Sequence, residues 1–115
     1  MDLGIILDEH DGVPVLTLRG ELDLATVPRL RDAFVRIANQ HPGTVMVVDL
    51  DELSSLDDAG MGTLVGGLGR LRSHGGDIIV VCAGRLLEQL QLSRLDRVFS
   101  VYPTQTAARA AARAT

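Results

Sequence analysis

The sequence predicts a single α/β domain, spanning residues 1–115, on a mostly parallel sheet in the order β-β-α-β-α-β-α-β-α. Three observations predict it. Residues 45–48 and 78–82 are short, unbroken apolar runs rich in β-branched side chains, as strands buried on both faces are. Between such runs, apolar positions recur at intervals of three and four, the helical period. Strands that alternate with helices pair in parallel through right-handed crossovers. The 115 residues, 46% of them apolar, suffice for one core.

Each element has a local reason. Leu3, Ile5 and Leu7 alternate with Gly4, Ile6 and Asp8, which predicts a first strand. Asp11-Gly12 is a two-residue hairpin turn, followed by a second strand over residues 13–18. Pro14 has no N–H for a ladder, so it belongs at the start of that strand or on an edge. Gly20-Glu21-Leu22-Asp23 ends the strand. Thr26 is the expected N-cap of the first helix, with Pro28 in its first turn. Val27, Leu30, Phe34 and Ile37 supply the apolar face, and the helix should stop near Asn39, ahead of His41-Pro42-Gly43. The buried run 45–48 then enters an acidic loop.

A second helix is predicted over residues 59–73, with Met61, Leu64, Val65, Leu68 and Leu71 as its stripe, closed by His74-Gly75-Gly76. After the buried strand 78–82 come a short helix over 85–93, a last strand over 98–102 and an Ala-rich helix over 105–113. That tail has high helix propensity but little to bury, so it is expected to fray.

Composition excludes several classes of function. The net charge is −4, lysine is absent and no arginine cluster occurs, which argues against nucleic acid and against an anionic membrane surface. Without lysine there is no Walker P-loop. The single Cys82 rules out a disulfide framework or a Cys-rich zinc site, and it reads as a buried structural thiol. No apolar run approaches the ~20 residues of a membrane span. No signal-peptide core opens the chain, so a cytoplasmic location is expected. His10, His41 and His74 lie in predicted turns without metal-ligand spacing, and no cofactor or metal is expected.

The stretch with most chemistry follows residues 45–48. Asp49, Asp51, Glu52, Asp57 and Asp58 could in principle gather around Mg²⁺, and Asp49-Leu50-Asp51 after an apolar strand resembles the nucleophile motif of haloacid-dehalogenase-type phosphatases. Those enzymes also need a downstream cation, usually a lysine, and this chain has none. The plainer reading is a solvated loop whose last Asp caps the next helix. Asp58 suits that role, with Asp57 the other candidate. Gly62, Gly66 and Gly69 fall at i, i+4 and i+7. They form a smooth stripe for a neighbouring helix of the same chain or for a partner protein.

Four motifs in order and spacing carry a resemblance. They are Gly20-Glu21-Leu22-Asp23 before a helix, Val47-Val48-Asp49-Leu50, Leu56-Asp57-Asp58-Ala59-Gly60-Met61-Gly62, and residues 75–83. Over residues 3–113 the chain resembles the STAS domain, specifically the bacterial anti-sigma factor antagonists. The resemblance implies a sheet with helices mainly on one face. It also implies a non-enzymatic module that binds an anti-sigma factor, usually a serine kinase, and so frees a sigma factor. The kinase phosphorylates a Ser or Thr in that family, and the added charge at a helix N-terminus breaks the complex.

Here the acceptor position aligns with Asp58, and Ala59 replaces a second hydroxyl. By position, the partner surface should include Glu21, Asp23, Asp57, Asp58, Gly60, Met61 and Gly62, with Met61 as an exposed apolar contact. A carboxylate at Asp58 either mimics phosphate or leaves an antagonist that escapes phosphorylation. The second is favoured, because one charge on a short arm is a poor copy and the side chain also restores a cap. A third option moves the switch to Ser54, Ser55 or Thr63, hydroxyls near the same loop but off the acceptor position. The alternative is a STAS subunit of a bacterial lipid-transport ABC assembly, since Ala59 fits the motif of that group. A monomer or weak dimer is expected.

Overall fold

The computed structural model describes residues 2–115. Strands β1 (Leu3–His10) and β2 (Val13–Leu22) form an antiparallel hairpin. Its turn residues, Asp11 and Gly12, have φ of 54° and 81°, the positive values that a two-residue primed turn demands. Helix α1 (Val27–Gln40), strand β3 (Val45–Leu56), helix α2 (Asp58–Arg72), strand β4 (Asp77–Val81) and helix α3 (Gly84–Leu92) follow. A 3-10 turn (Leu95–Arg97), strand β5 (Ser100–Tyr102) and helix α4 (Gln105–Arg113) complete the chain. The strands lie in the order β1-β2-β3-β4-β5, and all pairs beyond the hairpin are parallel.

Both faces of the sheet are covered, by unequal means. On one face α1, α2 and α3 pack Leu30, Phe34, Leu64, Leu68 and Leu90 over Leu16, Leu18, Met46, Val48, Leu50 and Val80. On the other, α4 lays Ala108 and Ala112 over Val15, Val47, Ile79 and Val81. The expected fraying of the tail is therefore corrected. Alanine methyls are small, but on a flat β-branched surface they let the helix backbone sit close to the sheet. Thr104 caps α4 by accepting the Ala107 N–H, and Arg109 and Arg113 reach Asp11 in the hairpin turn at 3.9 and 3.7 Å. Pro14 lies second in β2, ahead of Val15, the first residue paired with β3.

The largest departure from the sequence reading concerns the acidic stretch. Residues 49–56 do not form a loop; they continue β3, and β2 likewise runs on through residues 19–22. The ladder continues as Arg19↔Glu52, Gly20↔Leu53, Glu21↔Ser55 and Leu22↔Leu56, with two register shifts. Each shift resets the alternation of side chains. Leu50, Leu53 and Leu56 can therefore all be buried at a spacing of three, which in sequence does not read as a strand. Gly20, at φ 102°, accommodates the irregularity.

Candidate functional site

Two loops meet above the ends of β2 and β3. The first, residues 23–26, is closed on itself. Thr26 Oγ1 donates to the Glu21 carbonyl (2.9 Å) and accepts the Asp23 N–H (3.0 Å), while Asp23 Oδ1 accepts the N–H groups of Ala25 and Thr26 (3.0 and 3.1 Å). Thr26 precedes α1 but makes no side-chain cap; its hydroxyl is spent on the loop instead. Partial desolvation raises the Asp23 carboxyl. The hydrogen bonds it accepts, those from Thr26 and Ala25 among them, outweigh this and hold its pKa below the ordinary value.

Asp57 joins the second loop to the first. Its Oδ1 accepts the Gly60 N–H at 2.8 Å, which makes it the N-cap of α2, and its Oδ2 accepts the Leu24 N–H at 3.2 Å. Its own N–H donates to the Leu22 carbonyl (3.2 Å). Gln89 of α3 donates its side-chain amide to the Leu56 carbonyl, so a third element steadies the same corner. One carboxylate thus satisfies an orphan amide of the helix and fixes the spacing of the two loops. The capping role expected of Asp58 belongs to Asp57. Asp58 is the first residue of α2, exposed, and its charge lies in the turn where the helix dipole favours an anion.

The remaining predicted residues divide by depth. Gly62 is exposed, and Glu21 and Asp23 are half-buried at the rim. Gly60 is buried; a Cβ there would stand 2.8 Å from both the Leu22 carbonyl oxygen and the Leu22 side chain, so α2 can start this close to β2 only with glycine. Met61, expected as an exposed contact, is buried in the core at 7% exposure. It points inward because it stands three residues before Leu64 and seven before Leu68, on the apolar stripe of α2 that packs into the core. The apolar contact that the surface does offer is Leu24, 76% exposed between the two loops. Sequence reasoning passed over it. The available signal was a large apolar residue, within Asp23-Leu24-Ala25, that no helix or strand pattern uses.

A model of the STAS domain matches residues 4–108. The chain belongs to the STAS domain family. It is 29% identical to an anti-sigma-F factor antagonist of Mycobacterium tuberculosis, over 87% of this chain and 81% of that one. Identity is 25% to an anti-sigma-B factor antagonist of Listeria monocytogenes, over 88% and 90%. A crystal structure of an anti-sigma factor antagonist from Mycobacterium paratuberculosis superimposes with a TM-score of 0.83 at 27% identity, covering 97% of this chain and 95% of that one. These relatives favour the antagonist reading over the lipid-transport one.

Within this STAS domain the other sequence candidates separate from the corner. Among the described residues no group of three or more His, Cys, Asp or Glu side chains is placed to hold a metal ion. The acidic residues are strung along β3 rather than gathered. Asp49 faces α4, buried, where it accepts the Gln105 side-chain amide (2.9 Å) and the Asp51 N–H (2.9 Å). Ser54 donates to the Gly20 carbonyl and Thr63 to the Ala59 carbonyl, so both hydroxyls serve the backbone. Burial pushes the Cys82 thiol up to about 11, with the charges of Asp51 and Asp49 adding to the effect. Among the described residues, no helix is long and apolar enough to cross a membrane. The glycine stripe remains open. Nothing within 4 Å meets a Cβ at Gly62, Gly66 or Gly69, and Gly67 is the residue that lets Phe34 of α1 come close. Gly62, Thr63, Gly66 and Arg70 face Arg31 and Phe34 across a groove of about 260 Å³.

Proposed function

We propose that this STAS domain is an anti-sigma factor antagonist. It binds an anti-sigma factor of the serine-kinase type through the corner where the two loops meet, and so releases a sigma factor. Glu21, Asp23, Asp57, Asp58 and Gly62 form the contact surface, with Leu24 as its apolar centre; Gly60 and Met61 act from beneath by setting the start of α2.

The observation that carries this reading is the division of labour between Asp57 and Asp58. Asp57 holds the corner together, whereas Asp58 stands exposed on the first turn of α2. Position 58, the phosphoacceptor equivalent, therefore presents its side chain outward. It carries a carboxylate and no hydroxyl, so a serine kinase has nothing there to modify. A phosphate would bring about −1.5 to −2 charge and three acceptor oxygens. Asp58 brings one charge on a short arm, which leaves an antagonist that its partner kinase does not switch off at this position. The cluster of carboxylates at the rim calls for a basic partner surface, with affinity that weakens as salt rises.

The test is affinity for each anti-sigma kinase of the same organism in the presence of Mg-ATP, with wild type beside Asp58→Ser. Tight wild-type binding that ATP does not reverse, with Asp58→Ser released on phosphorylation, is the expected result. Failure of the wild type alongside ATP-free binding by Asp58→Ser would make Asp58 a fixed off state. Failure of both against every such kinase would sink the antagonist reading.

A further inference from the structure

Among the described residues β1 pairs only with β2, which leaves its other side as a sheet edge. The Glu21 N–H donates to the Asp2 carbonyl (2.9 Å), and the two-residue turn makes His10 and Val13 the closing pair. In an antiparallel ladder the N–H and C=O of a residue point to the same side, and the side alternates. The even residues of β1 therefore face β2, and Leu3, Ile5, Leu7 and Glu9 turn their backbone groups outward. The Leu3 carbonyl is already taken by the Arg29 guanidinium. Ile5 and Leu7 lie at the centre of what remains.

Proteins usually blunt such an edge with charged side chains, lysine above all, with proline or with a bulge. β1 reads LGIILDEH: its charges, Asp8 and Glu9, are confined to one end, residues 3–7 carry none, it has no proline, and its register with β2 is unbroken. Instead it exposes Ile6 (47%) on one face and Leu7 (50%) on the other. The opposite edge, β5, is only three residues long.

We propose that β1 is a self-association edge, on which a second copy of the chain pairs antiparallel about a two-fold axis at Ile6. The occupant is a second copy because the strand complements itself. With Ile6 facing Ile6, Ile5 faces Leu7 of the second copy, Gly4 faces Asp8, and Asp2 faces His10. Every exposed apolar side chain meets an apolar one, no two carboxylates are opposed, and an acid meets the one basic side chain of the strand. A slide of two residues would instead set Ile6 against Asp8. His10 lies 3.7 Å from its own Asp8, so it would stand between two carboxylates. Such a two-fold contact is isologous and closes at a dimer. The corner holding Asp57 and Asp58 stays outside it.

Sedimentation over about 1 μM to about 1 mM, the range in which weak self-association shows, tests the state. The expected wild-type mass rises with concentration from 12.3 kDa to about twice that, while Ile6→Lys stays at the monomer value with an unchanged melting curve. A second readout fixes the register. In a non-hydrogen-bonded antiparallel pair the Cα atoms lie about 4.5 Å apart, within disulfide range. Ile6→Cys should therefore form a cross-linked dimer on mild oxidation. Asp8→Cys should not, because the two copies of residue 8 are offset by four residues, about 13 Å. The native Cys82 is buried and does not compete. A wild type that stays monomeric throughout, a dimer that Ile6→Lys leaves intact, or cross-linking by Asp8→Cys as fast as by Ile6→Cys would each overturn the proposal.

Discussion

The glycines of α2 give the sharpest test of how this domain is packed. Gly66 and Gly69 look into open space, whereas a Cβ on Gly67 would stand 2.5 Å from the Phe34 ring. Replacing an exposed helical glycine by alanine is worth about 0.8–1.0 kcal/mol. The double variant Gly66→Ala/Gly69→Ala should therefore gain about 1.8 kcal/mol. A chain of 115 residues at about 2.1 cal/mol/K per residue has an unfolding entropy of about 0.24 kcal/mol/K, so the melting temperature should rise by about 7 °C. Gly67→Ala gains the same propensity but overpacks the α1–α2 contact, typically at about 1–3 kcal/mol. Its net effect should be a loss of about 1 kcal/mol, a fall of about 4 °C. Calorimetry on the two variants separates these outcomes. Equal stabilisation by all three substitutions would refute the close approach of α1 and α2, and destabilisation by the exposed pair would mean that the stripe is already covered. The rise also measures stability left unused on that face, a pattern expected where glycines are kept for a partner's approach.

Asp57→Ala should cost about 1 kcal/mol or slightly more, because it removes the α2 cap and the acceptor for Leu24 together, while Asp58→Ala should shift stability by only about 0.3–0.5 kcal/mol; paired urea titrations check the contrast. Gln105→Ala should cost about 1–3 kcal/mol by leaving the buried Asp49 carboxylate without its side-chain donor, read as a lower urea midpoint at unchanged slope. Cys82, raised to about 11, should react with thiol reagents only after denaturation. The sign of its linkage follows. The folded pKa exceeds the ordinary 9.0, so the stability tied to the protonated thiol is complete below pH 9 and is lost as pH rises through about 11. Cys82→Ala should lack that part of the alkaline decline, measured by melts between pH 8 and 11.

The alternation of strands and helices, the Asp11-Gly12 turn and the apolar stripes of α1 and α2 were legible because each is set by neighbours within a few residues. What escaped the sequence depended on distant partners. The strand character of residues 49–56 comes from pairing with β2 across two register shifts, which erase the two-residue period. The docking of α4 comes from a β-branched surface contributed by three strands, β2, β3 and β4, invisible in a run of alanines. Within the corner, Asp57 and Asp58 are chemically identical and adjacent, so only the position of the Leu24 and Gly60 amides could show which of them caps. Met61 stands at spacings of three, seven and ten from Leu64, Leu68 and Leu71, so its place on the buried stripe was legible wherever α2 begins; only the cap is offset by one residue, from Asp58 to Asp57.

That offset also changes the meaning of the carboxylate at position 58. If Asp58 were the cap, its charge would be drawn into the helix terminus and held by backbone amides, and replacing it would disturb the fold and the surface together. With Asp57 as the cap, position 58 is relieved of structural duty. A hydroxyl, a phosphate or a carboxylate could stand there over an unchanged scaffold. An argument that Asp58 is kept because it caps α2 therefore fails, and the proposed escape from phosphorylation rests on the surface chemistry alone: one fixed charge, exposed, at the positive end of a helix dipole, where a modifiable group would carry either none or nearly two. Such a charge is intermediate in strength, and whether it favours binding is decided by the partner's field. Against a basic surface Asp58 adds attraction, so Asp58→Asn should weaken binding, and the loss should shrink as ionic strength rises and the Debye length falls below about 8 Å. Against an acidic surface the same variant should strengthen binding, with the gain shrinking in the same way. A salt-independent effect of Asp58→Asn would mean that shape and hydrogen bonding at this position, rather than charge, govern the contact.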